Sequence, residues 1–137
     1  MYKIFLFISI SMILGCFSCE KPNNLEQKAE ALMKIHDEEM AKMDMIFSLK
    51  KQLKLAKDSA TSESLIQLYD KRIKSLEQAD EAMMEWMRNY KVPDIKEEER
   101  VKLEYYDQEY QKMIQVKNLM NQSIDSANIV IKQNQMP

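Results

Sequence analysis

A chain of 137 residues with net charge −2, 45% hydrophobic and 31% charged, has room for one domain and is neither a disordered chain nor a polytopic membrane protein. Its one glycine, Gly15, lies ahead of everything that reads as folded. That weighs against β-hairpins and phosphate-cradling loops, which need residues tolerant of positive φ or of close backbone approach. Acids and bases alternate throughout, so no stretch is basic enough to propose nucleic acid or an anionic lipid surface as a partner.

Residues 1–18 read as a lipoprotein signal peptide. Lys3 supplies the positive start and Ile4 to Leu14 (IFLFISISMIL) the apolar run, shorter than the ~20 residues a spanning helix needs. Two cysteines come next, in Leu14-Gly15-Cys16 and Phe17-Ser18-Cys19. Each resembles the lipobox in which a small residue precedes the acylated cysteine. Cys16 has the better-matched upstream residues. Cys19 is succeeded at once by the polar Glu20-Lys21-Pro22-Asn23-Asn24, where a membrane-to-water boundary belongs. Cys19 is therefore the expected lipid attachment site, with Cys16 as the alternative. Residues 19–24 become a lipidated tether and residues 25–135 a helical bundle domain. Acyl chains would hold such a protein on a membrane, and Glu20 in place of an aspartate makes the outer membrane of a bacterial envelope the default location.

The mature chain then shows three helical patterns. Asn23 or Asn24 can cap the first, with Glu26 in capping-box position after Asn23. Apolar residues recur at Leu25, Ala29, Leu32/Met33, Met40, Met43, Phe47 and Leu53, the face of one long helix that also carries His36. Lys57 to Ser62 (KDSATS) breaks the pattern, and Asp58, Ser59, Thr61 or Ser62 can cap the next helix. This second helix carries Leu65, Leu68/Tyr69, Ile73, Leu76, Ala79, Met83, Trp86/Met87 and Tyr90. It stops where Val92 precedes Pro93, because a residue before proline is pushed out of the helical region. Asp94 is expected to cap the third helix, with Glu97 as its box partner and Glu97 to Glu99 at the positive end of the dipole. Leu103, Tyr106, Tyr110, Met113, Met120, Ile124, Ala127 and Ile131 then form a nearly unbroken heptad, with Lys117 interrupting it beside Val116.

Three helices of roughly 45 to 60 Å with short connections predict an all-α fold: an antiparallel up-down-up three-helix bundle with coiled-coil-like packing. The rival is an elongated coil that buries its stripes by self-association. Trp86, flanked by Met83, Met84 and Met87 just before the chain reverses, is expected to plug the core.

His36 is the only histidine, so serine-, cysteine- and zinc-type catalytic sets lack members. The carboxylates are mostly flanked by lysines, and no acid pair stands out. The expectation is no enzyme, no cofactor and no small-molecule substrate. A non-catalytic module that engages a protein partner or self-associates fits the apolar stripes with charged flanks. The alternative is soft-metal binding. His36, Met40 and Met43 fall at i, i+4 and i+7, and helix pairing could bring Met83, Met87 and Trp86 near them. Thioether and imidazole donors select Cu(I) or Ag(I) over hard cations. Against this, methionine fills helical cores and packs well on indole. Tyr69, Tyr90, Tyr105, Tyr106 and Tyr110 divide between core positions with a wet hydroxyl and an exposed aromatic surface.

The motifs His36-Asp37-Glu38-x-Met40-x-Lys42-Met43 and Ala79-Asp80-Glu81-x-Met83-Met84-x-Trp86-Met87, with Pro93 after them, resemble a family of small bacterial lipoproteins that carry the transferred label "viral A-type inclusion protein". The resemblance covers most of the mature chain and implies a lipid-anchored helical protein of unknown function. The inclusion-body label reflects generic coiled-coil similarity. A fainter similarity links the acid-x₂-Met-x₂-Trp stretch to exported methionine- and histidine-containing helical bundles, whose paired histidines this chain lacks.

Overall fold

The computed structural model describes residues 24–134. The expected signal peptide, Cys16, Cys19 and the tether up to Asn23 lie outside the described residues. Within them the fold is all-helical: α1 (Asn24–Met40), α2 (Met43–Asp58), α3 (Glu63–Asn89) and α4 (Glu99–Asn134). The longest helix, α4, packs against each of the other three, and α2 also packs on α3. One continuous core of buried apolar side chains runs through the four helices, from Leu32 on α1 to Ile131 on α4. No described helix is long and apolar enough to cross a membrane.

The first corrected expectation is the single long helix over α1 and α2. It is interrupted at Ala41 and Lys42, where the Lys42 N–H reaches back to Glu39 O at 2.9 Å, a tightened turn, while Ala41 N–H still reaches Asp37 O at 3.1 Å. Lys42 stays in right-handed helical space at φ −91°, ψ −7°. The interruption is therefore one tightened turn.

The seam that faces the core on these two helices runs Leu32, Ile35, Glu39, then Ile46, Leu49, Leu53. Lys42 takes the missing heptad position between Glu39 and Ile46. Phe47, expected on the core face, is 70% exposed, and Met40 and Met43 are only partly buried beside the core. The cause is Glu39. Its side chain is fully buried, and Lys42 Nζ donates to both of its oxygens at 2.8 and 2.9 Å and to Asn121 Oδ1 at 2.8 Å. Lys117 Nζ adds a contact at 3.9 Å. A charged pair thus occupies two core positions, and apolar periodicity slides onto the neighbouring stripe.

The break at 59–62 falls where the sequence places it. Ser59 Oγ donates to Leu55 O and Ala56 O at 3.2 and 3.1 Å, satisfying carbonyls that the end of α2 leaves open. Ser62 is the N-cap residue, extended at φ −90°, ψ 122°, but its hydroxyl makes no cap bond. It pairs with Ser64 Oγ at 2.8 Å instead.

At the other connection α3 ends at Asn89, with Tyr90 leaving helical space at ψ 131°, three residues ahead of Val92, where the proline rule sets the latest possible stop. Asp94 does not cap α4. Its Oδ1 accepts from Lys96 N–H at 2.9 Å and its carbonyl from Glu97 N–H at 3.1 Å. That closes a separate turn, and the helix starts at Glu99. Asp94 can hydrogen-bond a backbone N–H two residues on as readily as cap a helix, so the start signal was real but one turn early.

On α3 the expected seam is the observed one: Tyr69, Ile73, Leu76, Ala79, Met83 and Trp86 are buried. On α4 it runs Tyr106, Glu109, Met113, Val116, Met120, Ser123, Ala127 and Val130, with Ile124 and Ile131 alongside. Val116 fills the place that Lys117 would have interrupted, and Glu109 rather than Tyr110 occupies the step after Tyr106.

Candidate functional site

The seam of α3 climbs by steps of three and four from Ala79 through Met83 to Trp86, and the same spacing carries it to Tyr90 at the helix end. Trp86 is only 6% exposed. Its ring lies 5.3 Å from the His36 ring of α1, tilted by 36°, and stacks on Tyr90 at 4.9 Å. From Tyr90 the run of rings continues to Tyr105 at 6.2 Å and Tyr106 at 5.8 Å on α4. Tyr105 Oη also accepts the Lys91 N–H at 3.0 Å, which ties the segment leaving α3 to α4. The result is a ladder of five rings that joins three helices at one end of the core. Of the five expected tyrosines, Tyr69 and Tyr106 are buried, while Tyr90, Tyr105 and Tyr110 are half-buried at the edge of the core.

Electrostatics arise from this packing. Burial, reinforced by the Tyr106 hydroxyl, pushes the Tyr90 phenol up to about 12. Burial also raises Tyr105, although the Lys91 N–H opposes it by favouring the phenolate. One turn further along α4, Glu109 is buried, 6% exposed as a residue, and its carboxylate accepts from Lys112 Nζ at 2.7 Å. That bond holds the Lys112 ammonium above its usual range. The Trp86 indole Nε1 is buried and finds no acceptor among the described residues.

Of these groups Trp86, Glu109 and Lys112 meet at an open groove of about 420 Å³ between α3 and α4. Ala82, Trp86, Val116 and Leu119 supply its apolar lining, and Glu85, Asn89, Glu109, Lys112 and Gln115 its polar one. Of the groove only Trp86 was singled out by sequence. Glu109 and Lys112 were not, because a glutamate next to tyrosines reads as the solvent side of a heptad.

The candidate metal residues are only partly brought together. His36 meets Trp86 across α1 and α3, and Asp37 Oδ1 holds the His36 Nδ1 at 2.9 Å. Met83 is fully buried in the seam. Met40 and Met43 flank the tightened turn, and Met87 is one residue past Trp86, all three partly buried beside the core. Among the described residues no three His, Cys, Asp or Glu side chains gather as a metal site, so a metal here would need thioether donors.

No protein family, no curated protein and no solved structure matches this chain.

Proposed function

We propose that the chain is a lipid-anchored, non-catalytic module of the bacterial cell envelope. In this reading Cys19 (Cys16 the alternative) fixes it to the membrane, by default the outer one. It acts by engaging a protein partner or a second copy of itself. The observation that carries the recognition part is the α3–α4 groove, with an apolar floor around Trp86 and a charged rim of Glu85, Glu109 and Lys112. A groove of this kind suits an amphipathic helix that offers one or two apolar side chains to the floor and polar groups to the rim.

The architecture that fits this reading is the antiparallel up-down-up three-helix bundle, with α1 and α2 as its first leg. Three side-chain pairs between that leg and α4 support it. Lys28 with Asp107, Lys42 with Asn121 and Lys117 with Glu38 are each separated by the same 79 residues, as parallel first and third legs require. Lys57 with Asp70 and Lys50 with Asp80 diverge along the sequence from the turn at 59–62, as an antiparallel second leg requires.

Photo-crosslinking from Glu85 and Gln115 replacements on the groove rim, in the intact envelope, tests recognition. A discrete adduct that Trp86→Ala abolishes is expected. Its absence, together with a strictly monomeric sedimentation profile, would remove the reading. Labelling with a palmitate analogue tests the anchor separately: Cys19→Ser with Cys16 retained should lose the label.

A second reading, soft-metal binding, is favoured by one contact. The His36–Trp86 ring pair joins the α1 and α3 halves of the methionine-rich set. Titration with Cu(I) or Ag(I) should then quench Trp86 fluorescence, and His36→Ala or Met40→Leu should weaken the response. Unchanged fluorescence and melting temperature would assign these methionines to packing alone.

A further inference from the structure

Phe47 and Leu55 on α2 are 70% and 62% exposed, and nothing among the described residues covers them. They stand eight residues apart, two turns of one helix face. Between them lie Lys50, Lys51 and Lys54 and no acidic residue. The five side chains line one recess of about 320 Å³ on the outer side of α2. Its opposite side, Ile46, Leu49 and Leu53, is buried in the core. Lys50 leans over the Phe47 ring, 5.5 Å from its centroid, while reaching Asp80 at 3.4 Å. Lys51 and Lys54 are exposed and have no ion-pair partner among the described residues. The two aspartates of α2, Asp44 and Asp58, fall in its first turn and at its last residue, outside the Phe47–Leu55 stretch.

We propose that this face of α2, Phe47 with Lys51, Lys54 and Leu55, is a docking surface for an anionic phospholipid bilayer. Charge complementarity selects the occupant, against the expectation from sequence that no stretch is basic enough for an anionic lipid surface. Burial of the opposite side leaves these lysines together with Phe47 and Leu55 on one outward face. The chain as a whole is acidic, so the stretch Phe47–Leu55, with three lysines, no acid and two exposed apolar side chains, is a local exception. An interfacial helix combines those features, placing apolar side chains below the headgroups and lysines at the phosphates. Asp44 and Asp58 share the Lys51 stripe at seven-residue steps, one beyond each end of the patch, so contact with a second copy is the competing outcome that the test below separates. The surface does not depend on acylation. If the anchor proposed above is present, the two signals add, since stable membrane attachment commonly takes one lipid chain plus a basic patch.

Residues 24–134 carry a continuous core of their own, so this segment, free of the apolar leader and both cysteines, is the probe. Cosedimentation at low salt with vesicles rich in phosphatidylglycerol should pull it down, and phosphatidylcholine vesicles should not. Each lysine at such a surface contributes about a fivefold gain in partitioning. Lys51→Gln with Lys54→Gln should therefore lower binding about 25-fold, and Phe47→Ser should lower it further at unchanged helical content by circular dichroism. Raising the salt should weaken binding, because the phosphate attraction is screened. Three results would overturn the proposal: no binding to anionic vesicles at low salt, binding that ignores both substitutions, or equal binding to neutral vesicles. A Phe47→Ser variant that dissolves a wild-type dimer without changing lipid binding would also overturn it, by assigning the face to a second copy. Because the probe lacks residues 1–23, failure here leaves the acylation test untouched.

Discussion

Two stretches of the core obey the same heptad and carry opposite chemistry. On α3 the seam from Tyr69 to Trp86 is apolar throughout. On α1 and α2 the seam has Glu39, fully buried, and Lys42 at successive positions between Ile35 and Ile46. The first kind of seam can be read directly from apolar spacing. The second misleads, because the neighbouring stripe through Met40, Met43 and Phe47 is more apolar than the seam itself. The contrast also separates two roles. Apolar burial supplies driving force wherever it occurs. A buried ion pair supplies little net stability but fixes which residues face each other. Here the pair reaches Asn121 on α4, which suits it to setting the register of α1 against α4, as polar residues do in coiled coils.

The largest effect that can test the contrast belongs to the apolar seam. Trp86→Ala removes a buried indole with two ring contacts, His36 and Tyr90, and should cost about 3–5 kcal/mol in urea denaturation. A near-neutral result would mean that the ring spends its time outside the core.

Adjacent residues on α2 then distinguish the observed seam from its more apolar neighbour. Ile46→Ala should cost about 2–5 kcal/mol, whereas Phe47→Ala should stay within about 0.5 kcal/mol of wild type. Were the two values reversed, the core would track the Met40–Met43–Phe47 stripe.

The polar layer gives a smaller and more diagnostic response. Lys42→Met strands the Glu39 carboxylate and should cost about 2 kcal/mol. That is less than the 3–5 of a fully sealed pair, because the Lys42 side chain is 32% exposed and Lys117 stays near. Replacing both, Glu39→Leu with Lys42→Met, should bring stability back to wild type or above. A double variant as unstable as the single one would show that the layer contributes stability and not only register.

The smallest effect concerns the ring ladder. Folding raises the Tyr90 phenol from 10.0 to about 12, so the protonated form is favoured by the native state. The resulting stabilisation is complete below pH 10 and disappears as the pH climbs through 12. Tyrosinate absorbance should show late titration from Tyr90 and Tyr105, and Tyr90→Phe should remove the component near 12 along with part of the stability loss above pH 10.

How much of this was legible varies with what each residue faces. The α3 seam and the break at Ser59–Ser62 come from local rules, because spacing and small polar residues act over a few residues, and the proline rule gave the latest limit of α3 at Val92, three residues beyond its observed end. Asp94 shows the limit of such rules: the same side chain serves a cap or a turn, and only the path of the chain chooses. Of the candidate site, Trp86 and His36 were legible as unusual residues. Their contact, the Glu109–Lys112 pair and the groove were not, since each needs α1, α3 and α4 placed side by side.

By itself, the sequence determined a helical chain with two interior breaks, the α3 face that would be buried, and the indole at the end of it, because helix propensity and apolar periodicity are properties of neighbours along the chain. Tertiary structure alone decided that Glu39 and Lys42 belong inside and Phe47 outside. The free energy of burying a charge depends on whether a partner stands across from it, and here that partner layer is completed by Asn121 and Lys117, some eighty residues away.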